Sequence, residues 1–446
     1  MRYEKGSGGG PGVAVVWHRG DLRTHDHPAL VAAVERGSIA GLVILDDNIL
    51  NATSTRRRVL FYEHVRVLRA TYRERGGELY VRTGEPWIAV PEFVAQLERE
   101  AFVTGVHALR SWSPYGSTRD AQTAAALTVP MHWHDGLYVR SPGSIVTQAG
   151  HGFSVYSPYL RAWRSGAPPE PLDAPARMTS PGLGNVDAGD IPDDVSDVPL
   201  PVAGEAAALR ALVAFLDRPV HEYAASRNRL DGSGASRLSV WLTIGALSAR
   251  TAAAAAWERP GEGAAKWIAE LAWRDFLADM LYRRPELLHE PFTARWNTFT
   301  WNDSEADFAA WRDGCTGVPA VDAAMRELRA TGWISNRARM IAAQFLTKHL
   351  RIHWTKGAKV FHEWLLDGDV ASNTGNWQWS AGLGIDNAPY FRVFNPVTQA
   401  KQHDPHGEWL RRWVPESNGN AAVLPNAIVD LAQARRDYLE EAGAVR

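Results

Sequence analysis

One cysteine, Cys315, in 446 residues leaves this chain no disulfide framework and no cysteine-ligated zinc site. Lysine is nearly as scarce, with six among 48 basic residues, the other 42 being arginine. Such a bias reflects either genomic base composition or a need for the planar forks that bind phosphate. The formal charge is only −2, so affinity for nucleic acid has to come from a local patch. No apolar run reaches the roughly 18 residues that mark a membrane span, and the first ten residues are Gly-rich and polar. The expectation is a cytoplasmic protein without membrane association, with a disordered tail over 1–11. There is no GxGxxG, HExxH or GxSxG, which argues against a dinucleotide dehydrogenase, a zinc peptidase and a serine hydrolase of the α/β type. Asp367 and Asp369 have no His or further acid close by, which makes a poor cation pair, so no metal is expected.

What the chain does have is tryptophan. Thirteen of its nineteen indoles follow residue 250, and Trp377 and Trp379 lie in "DGDVASNTGNWQWSAGLG", a stretch of Gly, Asn and Ser that reads as a loop within a helical region. Indoles need an apolar body and a partner for the N–H. Such a set is either core or a means of stacking flat ligands and relaying electrons.

Apolar runs at 13–17, 40–46, 78–84, 102–109 and 131–139 alternate with helical patterns at 28–37, 55–77 and 87–100. That order predicts a doubly wound parallel α/β sheet over 12–139, with its ligand crevice at the carboxyl ends of the strands. Residues 140–204 are rich in Pro, Gly, Asp and Ser and read as a connector, with a helical turn within 153–163. From 205 to 446 helical periodicity dominates, which predicts an all-α second domain.

Single segments leave alternatives open. In "KWIAELAWRDF", Glu270 shares a helix face with Trp267, Trp273 and Arg274, which fits an amphipathic core helix with a Glu–Arg surface pair as well as a site. In "GWISNRARMIAAQF", Asn336, Arg339 and Met340 share a face, and Ser335 or Asn336 is placed to cap the helix. Residues 333–359 hold Arg337, Arg339, Lys348, Arg351, Lys356 and Lys359 and no acid. This is either a phosphate-contact surface or a solvated helix face.

Taken together, "WHRGDLRTHDHPAL", "SRLSVWLTIGALS", "WIAELAWRDF", "TGVPAVDAAMRELRATGWISNRARM" and "DGDVASNTGNWQWSAGLGIDNAPYFRVFNP" resemble the photolyase/cryptochrome family, specifically its class I cyclobutane pyrimidine dimer photolyases. The likeness runs over about 13–440. It implies an α/β domain, a long connector and a helical domain holding FAD. It also implies an enzyme that opens pyrimidine dimers in UV-damaged DNA by electron transfer from photoexcited reduced FAD.

By that resemblance Tyr223, Arg227, Ala235 (where many relatives have Thr), Ser236, Leu238 and Ser239 surround the FAD phosphates and ribose. Trp267, Arg274, Asn336 and Arg339 surround its rings, with Asp367 pairing Arg339, Asp369 accepting from a ring N–H and Asn373 facing flavin N5. Thr374 and Asn376 depart from the family's commoner Asn and Gly. Trp273 and Trp379 are implied to clamp a flipped dimer. Glu270 would hydrogen-bond one pyrimidine, and Asn336 and Met340 would line the pocket. Arg337, Arg392 and Gln399 would contact DNA beside the lesion. Trp377, Trp354 and Trp301 would relay electrons to FAD. Ser335 stands where (6-4) photolyases have His, which argues against (6-4) repair. Asp46, Asn48 and the arginines of "STRRR" (54–58) either meet an antenna chromophore, FMN or an 8-hydroxy-deazaflavin, or form an ordinary helix face. A monomer is expected. Two other readings are a non-repairing cryptochrome photosensor and a photolyase restricted to single strands.

Overall fold

The computed structural model describes residues 12–182 and 184–445; the tail expected over 1–11 lies outside them. The chain forms two compact units, each drawn from several stretches. One comprises Met1–Ser141, Ala167–Val213 and Leu238–Glu258, the other Pro142–Gly166, Ala214–Arg237 and Arg259–Arg446.

The first unit contains a five-stranded sheet, β1 (Val13–His18), β2 (Ser38–Leu45), β3 (Leu79–Thr83), β4 (Val103–Leu109) and β5 (Met131–His134), in the order β3-β2-β1-β4-β5. All four pairings are parallel. Helices Pro28–Val34 and Thr55–Glu74 pack Leu30, Ala33, Tyr62, Val65, Leu68 and Tyr72 on one face, and Pro86–Glu98 packs Ala89, Val90, Phe93, Val94 and Leu97 on the other. Strands covered on both faces are apolar at nearly every position, which is why β1, β2 and β4 stand out as runs in the sequence. A fourth helix, Pro114–Ala126, joins β4 to β5. Its polar, small-residue composition hides it from periodicity, although Ser113 caps it and Pro114 opens it.

The turn after β1 is filled by its own polar side chains. His27 Nδ1 accepts from the Leu30 N–H at 3.1 Å, so its Nε2 carries the proton given to Asp21 Oδ2 at 3.0 Å. His18 Nδ1 lies 3.3 Å from the Asp21 carbonyl and its Nε2 2.6 Å from the Tyr72 hydroxyl. A carbonyl can only accept, so Nδ1–H donates there and Nε2 accepts from Tyr72. His18, Asp21 and His27 are close enough to hold a cation. One would have to displace the proton His27 Nε2 needs while Nδ1 caps a helix. The motif is therefore a satisfied buried network.

The second unit is helical, with its core among Trp311, Val321, Leu328, Ile341, Phe345, Trp354, Phe361 and Trp377. Stretch 370–381, which reads as a loop, is a helix, Val370–Ala381. The Asp369 side chain caps it by accepting from the Ser372 N–H at 2.7 Å, and Gly382 ends it in the left-handed conformation at φ 78°. These two end signals outweigh the poor helix propensities of Ser, Asn, Thr and Gly between them.

Candidate functional site

Helix Val370–Ala381 decides the geometry of the second unit's cavity. At about 100° per residue, Asn373, Asn376, Trp377 and Ser380 fall on one face. All four line a cavity with Asn336, Arg339, Met340, Asp367, Gly368, Asp369 and Ser372. Trp379, two residues from Trp377, points away from that face. The sequence singles out Asn373 and Trp377 here, and the i+3 and i+7 spacing from Asn373 is the signal that also finds Asn376 and Ser380.

Arg339, Asn373 and Asp369, which face the cavity, are each held by hydrogen bonds. Arg339 donates to both Asp367 oxygens, at 3.1 and 2.8 Å, and its Nε to the Ile334 carbonyl at 3.1 Å. Both contacts to Asp367 come from Nη2, and with the separate Nε bond they hold the guanidinium in place. Asn373 Nδ2 donates to the Ala358 carbonyl at 2.8 Å. Only the NH2 end can face a carbonyl, so the amide oxygen is the atom left to accept from a ligand N–H. Asp369 spends one oxygen on its cap and keeps the other. A ring system with N–H edges and a carbonyl-rich face is what two acceptors and a guanidinium suit.

Helix Asn336–Gln344 begins at Ser335, whose hydroxyl accepts from the Ala338 N–H at 3.2 Å, so Ser335 is the cap. That leaves Asn336 exposed, its amide 3.7 Å from the Met340 sulfur. Arg337 donates to Gln399 at 3.2 Å and to Asn228 at 2.8 Å. Arg392 is exposed on a segment held from behind. Lys348 Nζ donates to the carbonyls of Tyr390 at 3.2 Å and Arg392 at 2.9 Å, and Gln344 Oε1 accepts from the Phe394 N–H at 2.9 Å. Burial, then the nearby Arg392 charge, brings the Lys348 ammonium down to about 7.

Glu270 pairs with Arg227, 43 residues away, in place of the surface pair with Arg274 that helical spacing allows. The Arg227 guanidinium also lies 5.7 Å over the Tyr223 ring. Burial alone would lower its pKa, but the Glu270 carboxylate overrides that and raises it. Arg227, implied to be a neighbour of the FAD phosphates, is paired with Glu270 in this structure. Trp267, 3% exposed, packs against Phe215 at 5.3 Å between ring centroids, and Phe215 meets Tyr223 at 5.7 Å. Ala235 and Ser236 lie in the loop before residue 238 and Arg274 on helix Glu262–Arg283, all three partly exposed. In the first unit, Leu238 is buried and precedes the short helix Ser239–Ile244.

Trp377 stands edge-on to Phe361 at 5.0 Å and to Trp311 at 6.1 Å, and its ring tip packs on Gly357, one turn from Trp354 on helix Trp354–Trp364. Trp354 and Trp301 both contact His353, at 5.9 and 5.0 Å. Trp301 is only partly buried. Trp273 stacks on Tyr156, which was not singled out in the sequence.

The acid-free run 333–359 does not form a phosphate surface as a block. Arg339 pairs with Asp367, Arg351 with Glu441, and Lys356 with Asp303 and Glu305, while Lys348 is 1% exposed. Its compensating acids come from elsewhere in the chain. In the first unit Arg56 and Arg58 likewise pair with Asp197 at 2.6 Å and Asp194 at 3.6 Å. Asp46 accepts from the Asn48 N–H and from the Tyr115 hydroxyl at 2.7 Å.

A helical unit whose cavity offers fixed N–H acceptors beside a guanidinium–carboxylate pair, together with an α/β unit of parallel strands, is the arrangement that the photolyase/cryptochrome resemblance implies. Residues 267–443 match the FAD binding domain of DNA photolyase, and residues 14–176 match the DNA photolyase domain. The chain is 50% identical to the deoxyribodipyrimidine photo-lyase of Thermus thermophilus, over 96% of this chain and 98% of that one. Among solved structures it resembles a bacterial class III photolyase from Agrobacterium tumefaciens (29% identity, TM-score 0.87, 98% of both chains) and a Synechocystis cryptochrome (26% identity, TM-score 0.88, 96% and 99%). The chain belongs to the DNA photolyase family. It is an FAD-dependent enzyme of light-driven DNA repair, a carbon–carbon lyase of the deoxyribodipyrimidine type.

Proposed function

We propose that the substrate is a cyclobutane pyrimidine dimer in duplex DNA, turned out of the helix into a pocket walled by Trp273 and Trp379. The observation that carries this reading is the shared cavity. Asn336 and Met340, implied to touch the lesion, line the same space as Arg339, Asp369 and Asn373, implied to hold the flavin rings. Cofactor and lesion are then neighbours with no protein layer between them. FAD, when bound, supplies light absorption and the electron.

The protein's own groups position and shield. The Asn373 oxygen and the free Asp369 oxygen accept ring N–H groups, and the Arg339–Asp367 pair sets a fixed charge at the ring edge. Glu270, oriented by Arg227, accepts from one pyrimidine N–H and so orients that base. Trp273 and Trp379 offer flat apolar faces to bases that have left the stack, and a dimer, already poorly stacked, costs less to extrude. Arg337, Gln399 and Arg392 contact the backbone beside it. Trp301, Trp354 and Trp377 pass electrons inward. The reading includes a monomer working in the cytoplasm; no helix among the described residues is long and apolar enough to cross a membrane.

The test uses FAD-loaded, chemically reduced protein on oligonucleotides with a single thymine dimer or a single (6-4) product, in duplex and single-strand form. Blue or near-ultraviolet light is expected to restore the duplex dimer, with no repair in the dark and none of the (6-4) product. Binding without splitting in the light would replace repair with photosensing, and splitting only in single strands would confine the substrate.

A further inference from the structure

Trp273 and Trp379 sit on different helices, Glu262–Arg283 and Val370–Ala381, so neither helix by itself fixes the gap between them. One face of Trp273 is covered by Tyr156, the rings nearly parallel at 13° with centroids 3.7 Å apart, and Phe276 meets it edge-on at 5.5 Å. Tyr156 is held at both ends. Its hydroxyl donates to the Ala269 carbonyl, one turn before Trp273, and its backbone N–H donates to Asp386 Oδ1 at 2.8 Å. Trp379 lies near the same Asp386 carboxylate and favours its charged form. Asp386 itself occupies the left-handed region at φ 53°, followed by Asn387 at φ 51°. Two successive non-glycine residues there carry a conformational cost. The turn they make brings one carboxylate to both walls.

We propose that Asp386 and Tyr156 are positioning residues for the lesion pocket. Asp386 sets the Trp379 indole and anchors Tyr156, and Tyr156 backs Trp273, so the spacing of the two walls is fixed before DNA arrives. Side chains ordered in advance lose less entropy when a ligand enters, which strengthens binding without a new contact. The outer face of Trp273, opposite Tyr156, is the one left for a base. This rests on the reading of Trp273 and Trp379 as lesion contacts.

The test compares Asp386→Ala, Asp386→Asn, Tyr156→Leu and Tyr156→Phe with Trp273→Ala and Trp379→Ala, all as FAD-loaded reduced protein. Asp386→Ala and Tyr156→Leu are expected to raise KM for dimer-containing duplex about ten-fold. The change in kcat at saturation should stay within about two-fold, since the wall spacing acts on binding. Affinity for undamaged DNA and the flavin absorption spectrum should not change. Asp386→Asn keeps one accepting oxygen and tolerates the left-handed backbone, so it should fall between wild type and alanine. Tyr156→Phe keeps the stack but loses the hydroxyl anchor on Ala269, so it should fall between wild type and Tyr156→Leu. A merely structural Asp386 would lower FAD retention and weaken damaged and undamaged DNA alike, which overturns the proposal. Should Asp386→Ala not fold, Asp386→Asn and Tyr156→Leu decide on their own. Wild-type KM in the bracing variants, with raised KM in the tryptophan variants, overturns the bracing alone. Wild-type KM in the tryptophan variants overturns the clamp and the bracing together.

Discussion

Replacing Arg227 by Met separates two roles that a sequence comparison merges. Family likeness places Arg227 beside the FAD phosphates, whereas its guanidinium is paired with Glu270 and lies over Tyr223. Methionine keeps an apolar stem on the Tyr223 ring and removes the charge. Opposite charges in contact attract by about 4 kcal/mol at an effective dielectric near 20. The side chains are 15% and 29% exposed, so desolvation and screening leave a net about 1–2 kcal/mol. That corresponds to roughly 5–30-fold in an equilibrium constant. In Arg227→Met the Glu270 carboxylate loses its orienting partner, so affinity for a dimer-containing duplex should fall by that factor. FAD content after purification, read from the absorbance ratio, should equal that of wild type. A double-mutant cycle with Glu270→Gln isolates the pair. Its coupling energy in lesion binding should match the 1–2 kcal/mol above, and additivity would mean that the ion pair has no part in recognition. Loss of FAD with unchanged lesion affinity would refute the assignment outright and return Arg227 to the cofactor.

Trp377→Phe should abolish light-driven reduction of oxidised FAD while chemically reduced enzyme still repairs. Flavin absorbance under illumination with an external reductant checks this, and photoreduction at the wild-type rate would remove Trp377 from the relay. Glu327 gives a pH prediction. It is 6% exposed and accepts from the Trp409 indole at 2.7 Å, and burial pushes its carboxyl up to about 7. An acid whose folded pKa is raised lends stability in full below its unfolded pKa and loses it as pH climbs through the folded value. Stability should therefore fall between about pH 4.5 and 7, by about 3 kcal/mol in all. Glu327→Gln keeps the acceptor and cannot ionise, so chemical denaturation at pH 5 and 8 should show most of that difference gone. Equal pH dependence in both proteins would mean that Glu327 is not the group responsible.

The elements that could be read from the chain are those whose signal is local. Strands β1, β2 and β4, buried on both faces, appear as apolar runs because water reaches neither side, and helix Thr55–Glu74 shows its apolar stripe directly. Helix Val370–Ala381 was obscured because its interior residues favour turns. The evidence for it lies at the two ends, where Asp369 caps and Gly382 turns left-handed. Charge fails for another reason. A run of six cations reads as a basic surface while its partners are unknown, and three of the six meet acids remote in sequence: Asp367 lies 28 residues from Arg339, Glu441 90 from Arg351, and Lys356 pairs with Asp303 and Glu305. Glu270 is the sharpest case. Helical spacing offers Arg274 as its partner, family likeness offers a pyrimidine, and neither suggests Arg227. Likeness transfers the identity of a residue at a position, while folding decides which side chain it meets. For a titratable or hydrogen-bonding group the second fact sets the chemistry. Asn373 shows both at once, since its amide is predictable from the family, but which end faces the cavity follows only from the carbonyl of Ala358 behind it.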